Sequence, residues 1–153
     1  MINSSIFYPD FQDFIKICNQ NNVEYILVGG FATILNGYFR TTGDIDIWVN
    51  RTAENYQKLR KTFYEFGLPI EAMSEYNFLE NNAFDVFSFG RPPVAIDIMN
   101  KVKGLNFVDA LKNAEWYEFE DFKVRYLHID DLITAKRAAG RFKDLDDIEH
   151  LTG

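Results

Sequence analysis

The stretch that decides the fold runs Tyr25-Ile26-Leu27-Val28-Gly29-Gly30 and resumes at Thr41-Thr42-Gly43-Asp44-Ile45-Asp46-Ile47-Trp48-Val49. Its first part reads as a short buried strand over residues 23–28, ended by two glycines before a short helix over 31–37. Paired glycines at that point let backbone N–H groups approach an anion, and the helix N-terminus adds favourable partial charge. The second part, residues 44–49, reads as a strand because Ile45, Ile47 and Val49 alternate on one face. Asp44 and Asp46 then project together from the other face, about 5–7 Å apart at Cβ. Two carboxylates so held repel one another unless a cation lies between them. Hard oxygen donors of this kind suit Mg²⁺, which takes one or two carboxylates together with phosphate oxygens of a substrate.

Working outward, residues 9–21 form an amphipathic helix begun by Pro9, and residues 52–66 form another ended by Gly67. Residues 83–89 and 94–99 read as strands on either side of the turn Gly90-Arg91-Pro92-Pro93, and residues 69–82 are the least patterned part of the chain. A short helix near 106–114 precedes strands around 116–119 and 123–127. Helices over 130–139 and 143–151, broken at Gly140, complete the chain. Strands interleaved with helices predict an α/β or α+β fold, a single mixed β-sheet with flanking helices, in one domain spanning residues 1–153.

The chain has 153 residues, 47% of them hydrophobic, with 23 acidic against 16 basic side chains and a formal charge of -7. The apolar fraction excludes a disordered chain, and the acidity argues against a nucleic-acid coat or an anionic-membrane binder. One cysteine, Cys18, and two histidines, His128 and His150, exclude a Cys/His zinc cluster. The first residues, from Met1, lack the basic and long apolar stretches of a signal peptide, and no apolar run matches a membrane span. A reduced, cytoplasmic protein is the expectation.

Asp-x-Asp alone is a weak signal among thirteen aspartates, and a second copy stands at Asp144-Leu145-Asp146. Residues two apart do not face each other on a helix, so that copy reads as solvated surface. The plain alternative for Asp44 and Asp46 is an exposed strand face. A third carboxylate, Asp97, interrupts the apolar run Val94-Ala95-Ile96-Asp97-Ile98-Met99, where Asp is disfavoured unless partnered. An edge strand or a turn would also accommodate it. Were the two strands neighbours, Asp97 would complete a three-carboxylate cluster for two metal ions.

These elements together, Gly29-Gly30, then Arg40-Thr41-Thr42-Gly43-Asp44-Ile45-Asp46, then Ile96-Asp97-Ile98, resemble the DNA polymerase β-like nucleotidyltransferase superfamily. The likeness is to its small members of the lincosamide nucleotidyltransferase and abortive-infection toxin types. The segment from Asp130 to Asp144, with Lys136 and Arg141-Phe142-Lys143-Asp144, matches a Lys-plus-Arg-Lys-Asp element of those families, so the resemblance covers about residues 23–151.

The resemblance implies an Mg²⁺-dependent transfer of NMP from NTP to an acceptor hydroxyl on a small molecule, a tRNA end or a protein, with pyrophosphate released. Two Mg²⁺ ions are expected, with Mn²⁺ the other ion of this class. It implies that Asp44 and Asp46 hold the metal carrying the triphosphate. Asp97 would hold the second and help deprotonate the attacking hydroxyl. Gly29 and Gly30 would cradle the β- and γ-phosphates, and Lys136 would neutralise triphosphate charge. Relatives often carry Ser where this chain has Gly30, which leaves only a backbone N–H there.

Arg40 either touches a phosphate or orients Asp44. Lys136, Arg137, Arg141 and Lys143 fall within eight residues. They either form a local anion site or serve as solvated stems and i,i+3 or i,i+4 partners of nearby acids. Tyr38, Phe39 and Trp48 read as core packing before base stacking. Many relatives act in toxin–antitoxin or phage-defence pairs, which makes an antitoxin protein a partner to consider. The rival reading is a catalytically weak nucleotide-binding or interaction protein of the same fold.

Overall fold

The computed structural model describes residues 2–91 and 93–153. After a 3-10 turn at Ser4–Ile6 come α1 (Pro9–Gln20), β1 (Tyr25–Val28), α2 (Gly29–Leu35), β2 (Ile45–Val49), α3 (Ala53–Phe66), α4 (Glu75–Leu79), β3 (Val86–Arg91), β4 (Val94–Met99), α5 (Phe107–Asn113), β5 (Glu115–Glu118), β6 (Lys123–Tyr126), α6 (Ile129–Ala139) and α7 (Phe142–Thr152). Among the described residues these make one mixed six-stranded sheet, ordered β3-β4-β2-β1-β6-β5, with flanking helices. The expected fold class is the observed one. Pro92, part of the expected turn between β3 and β4, lies outside the described residues, as does Met1.

The sheet is sided by its alternation. Tyr25, Leu27, Ile45, Ile47 and Val49 point into an apolar layer with Phe11, Phe14 and Ile15 of α1 and Leu59 and Phe63 of α3. Ile26, Val28 and Trp48 point the other way, against Phe107 and Ala110 of α5 and Leu132 of α6. Pro9 opens α1, and the Thr52 hydroxyl accepts from the Asn55 N–H to open α3. The unpatterned stretch 69–82 contains α4, too short to show a helical period, begun by Ser74 and anchored by buried Phe78. Phe39 departs from its expected core role and is 62% exposed, because it lies in the extended segment between α2 and β2; Trp48 is buried. Among the described residues no helix is long and apolar enough to cross a membrane.

Three pairings position the site. β2 lies between β1, antiparallel to it, and β4, parallel to it. In that register Asp46 stands opposite Val28 on one side and Asp97 on the other. Parallel neighbours keep their side chains on one face, so the two carboxylates stand side by side.

Candidate active site

The open end of the sheet, on the face shared with α6, holds a cavity of about 720 Å³. Gly29, Gly30, Arg40, Asp44, Asp46, Asp97, Lys136, Arg141 and Lys143 all line it, although they are spread over more than a hundred positions of the chain. Asp44 stands one residue before β2, at its mouth and exposed, rather than within the strand. Asp97 stands beside Asp46 in the sheet and lines the same cavity as Asp44. Ser88 of β3, opposite Asp97 in the sheet, donates its hydroxyl to Asp97 Oδ1 at 2.7 Å.

Crowding these acids has an electrostatic cost. Burial, followed by the charges of Asp97 and Asp44, pushes the Asp46 carboxyl up to about 7, while nearby Lys143 pulls it down. Asp44 is raised as well, by desolvation first and Asp97 second. Among the described residues no three acidic, histidine or cysteine groups already close around a point as a ready-made metal cage. The donor set is nonetheless one of hard oxygens whose mutual repulsion a divalent cation would relieve, and two such oxygens plus phosphate suit Mg²⁺.

The glycine pair is explained by what covers it. Gly29 has φ +65°, and a Cβ there would overlap the Asp46 carboxylate; a Cβ on Gly30 would overlap the Thr42 hydroxyl. Chain reversal and close side-chain approach both require the absence of a side chain.

The cations are mostly held by acids of α7. Arg40 grips Asp147 through Nε to Oδ1 at 2.8 Å and Nη2 to Oδ2 at 2.9 Å. Lys136 Nζ reaches the same Oδ2 at 2.7 Å. Burial works to raise the Asp147 carboxyl, but the hydrogen bonds from Arg40 and Lys136 outweigh it and hold the group below the usual carboxylate range. Arg141 pairs with Asp144 at 2.7 Å, and the Asp144 carboxylate also accepts from the Arg141 backbone N–H at the start of α7. The expectation of a solvated Asp144-Leu145-Asp146 is therefore corrected at Asp144 alone, which is buried and takes Arg141 as its i,i+3 partner because α7 turns it inward; Leu145 and Asp146 are exposed. Lys143 makes no ion pair among the described residues.

Ser88, Thr42, Lys101 and Lys103 were not anticipated from sequence; the last three also line the cavity. Asp147 was open only as a nearby helical partner of Arg137 or Arg141, and it is held instead by Arg40 and Lys136. The i,i+3 spacing of Asp144 and Asp147 is the one sequence signal that could have found Asp147, since it puts both on one helix face. Nothing in the sequence pairs Ser88 with Asp97, because that contact depends on strand register.

No protein-family model matches the chain, and neither does any curated protein sequence. Solved structures do. A Thermotoga maritima protein assigned as a nucleotidyltransferase superposes with a TM-score of 0.65 at 15% identity, over 97% of this chain and 94% of the other. The lincosamide antibiotic adenylyltransferase LnuA, solved with lincomycin bound, gives 0.64 at 17% identity over 96% and 97%. ANT(2″)-Ia in complex with adenylyl-2″-tobramycin gives 0.59 at 15% over 92% and 84%. The backbone likeness extends across nearly the full length of the first two and most of the third, and the chain has the minimal nucleotidyltransferase fold.

Proposed function

We propose that the protein is a nucleotidyltransferase that moves a nucleoside monophosphate from NTP to an acceptor hydroxyl, the whole chain acting as one catalytic domain. The observation that carries this reading is the in-register pair Asp46 and Asp97, joined by Asp44, in a cavity that also gathers Arg40, Lys136, Arg141 and Lys143. Acids without cations would suit a simple cation site, and cations without acids would suit an anion site. Phosphoryl transfer needs both, because charge neutralisation and in-line positioning do most of the work.

Asp44, Asp46 and Asp97 would hold Mg²⁺, which supplies Lewis-acid stabilisation of the phosphoryl oxygens when bound. The Gly29–Gly30 turn and the cations line the same cavity, suited to the β- and γ-phosphates. Asp97, oriented by Ser88, accepts the proton of the acceptor hydroxyl as its oxygen bonds to the α-phosphorus. The bond from the α-phosphorus to the bridging oxygen breaks, and pyrophosphate leaves. Asp147 touches no substrate in this scheme and acts by holding Lys136 and Arg40 in place.

Two of the structural neighbours are adenylyltransferases with antibiotic acceptors, so ATP and a hydroxyl-bearing small molecule head the candidates, with a tRNA end or protein hydroxyl behind. A toxin role with a cognate antitoxin is carried by the sequence resemblance. Use of NTP and the free Cys18 thiol suit the cytoplasm.

The test incubates α-labelled NTPs, Mg²⁺ and cell extract with wild type and Asp46→Ala. Label should move to an acceptor with wild type only. Transfer that survives the substitution would refute the site. Mg²⁺-dependent NTP binding with no labelled product would favour the binding-protein reading.

A further inference from the structure

Thr42 stands apart from the other half-buried or buried threonines. The hydroxyls of buried Thr33 and Thr62 are hydrogen-bonded within the protein, as are those of exposed Thr52, Thr134 and Thr152. Among the described residues the Thr42 hydroxyl has no such partner, yet its side chain is half-buried and lines the cavity. It lies over Gly30, occupying the space in which a Cβ on residue 30 would have to stand. Gly30 has a negative φ, so the lack of a side chain there is set by Thr42 and not by backbone conformation. A Thr side chain is stiff at χ1, which keeps a hydroxyl placed in this way from swinging far.

We propose that the Thr42 hydroxyl is a substrate ligand, donating a hydrogen bond to a phosphate oxygen of the triphosphate at the Gly29–Gly30 turn. The inference rests on the proposed NTP site and deepens it. The hydroxyl is a neutral donor that lies over the Gly29–Gly30 turn in the same cavity as Arg40, Lys136 and Lys143. Thr42 also lies two residues before Asp44, so one short segment of chain would carry both the phosphate donor and the first metal-binding carboxylate.

The exclusion between residues 30 and 42 provides the test. Binding of inorganic tripolyphosphate with Mg²⁺ is measured calorimetrically for the full chain as wild type, Thr42→Val, Thr42→Ser, Thr42→Gly and the double variant Thr42→Gly/Gly30→Ser. Melting temperatures without ligand establish that each variant folds. Losing a hydrogen bond to a charged oxygen should weaken binding about tenfold or more in Thr42→Val, while Thr42→Ser stays within about threefold of wild type. The double variant, which moves a hydroxyl onto residue 30 and vacates its space, should recover most of what Thr42→Gly loses. Wild-type affinity in Thr42→Val, or equal losses in the Val and Ser variants, would overturn the role of the hydroxyl while leaving the NTP site standing. A wild-type protein that binds neither tripolyphosphate nor NTP would remove both.

Discussion

Lys136 and Asp147 form a buried ion pair, 2.7 Å from Nζ to Oδ2, in which the two residues are only 5% and 1% exposed. Arg40 closes on the same carboxylate, so one acid of α7 holds two cations drawn from α6 and from the segment before β2. Removing that acid leaves a buried ammonium without its partner. Asp147→Ala should cost about 3–5 kcal/mol of stability, as broken buried pairs do, and should also raise KM for NTP. Chemical denaturation and steady-state kinetics measure the two effects. A variant as stable as wild type would show that the pair contributes nothing net.

Asp46 carries a stability cost that its site chemistry would justify. Its carboxyl holds a proton up to about pH 7 in the folded chain but only to about 3.8 in a free side chain. Between those values the folded state binds more protons than the unfolded state. The stability contributed by this group therefore falls as pH rises through that window and is level above it. Asp46→Asn removes the charge, so the metal-free variant should melt a few degrees above wild type at pH 8 and show a flatter profile between pH 5 and 8. It should also lose Mg²⁺-dependent stabilisation by NTP. Lower thermal stability at pH 8 in the Asn variant would contradict this account.

Gly29 combines φ +65° with the Asp46 carboxylate against its Cα. Gly29→Ala should therefore cost about 1–3 kcal/mol from backbone strain alone and displace Asp46 as well. Nucleotidyl transfer should fall by more than tenfold even at temperatures where the variant is fully folded, as read by circular dichroism alongside the transfer assay. Unchanged transfer would mean that the Asp46 position is not critical.

Ser88 orients Asp97 from the neighbouring edge strand and is itself exposed. Ser88→Ala should leave the melting temperature within about a degree of wild type, since it removes an exposed hydroxyl. The proton-accepting group should nevertheless lose its fixed orientation: without the Ser88 hydroxyl on Oδ1, Asp97 is free to turn, and kcat should fall about tenfold with KM for NTP little changed. An unchanged kcat would mean that Ser88 does not position the base.

Much of this was legible in the sequence where chemistry and period agree. Ile45, Ile47 and Val49 announce a strand and thereby the side to which Asp46 turns, and the lone acid in the run around Asp97 signals a partner. What the sequence could not reveal depends on separations of many residues. Asp144 and Asp147 look like charged helix surface until α7 packs beside α6 and turns them inward toward Arg141, Lys136 and Arg40. Arg40 and Lys136 line the cavity, but their charge is already committed to Asp147. The contact of Thr42 with Gly30 and that of Ser88 with Asp97 are likewise products of tertiary packing.

The pairing of β2 with β4 also acts as a form of quality control. Strand side chains alternate with a period of two, so sliding one of these strands by a single residue would turn its aspartate into the apolar layer beneath α1 and α3 and expose isoleucines in its place. A carboxylate buried there would be too costly to persist. A one-residue slip therefore cannot leave one acid in the site and the other out of it. The face on which the acids gather and the burial of the isoleucines are thus secured together, so that this error of folding and loss of the site are one and the same event.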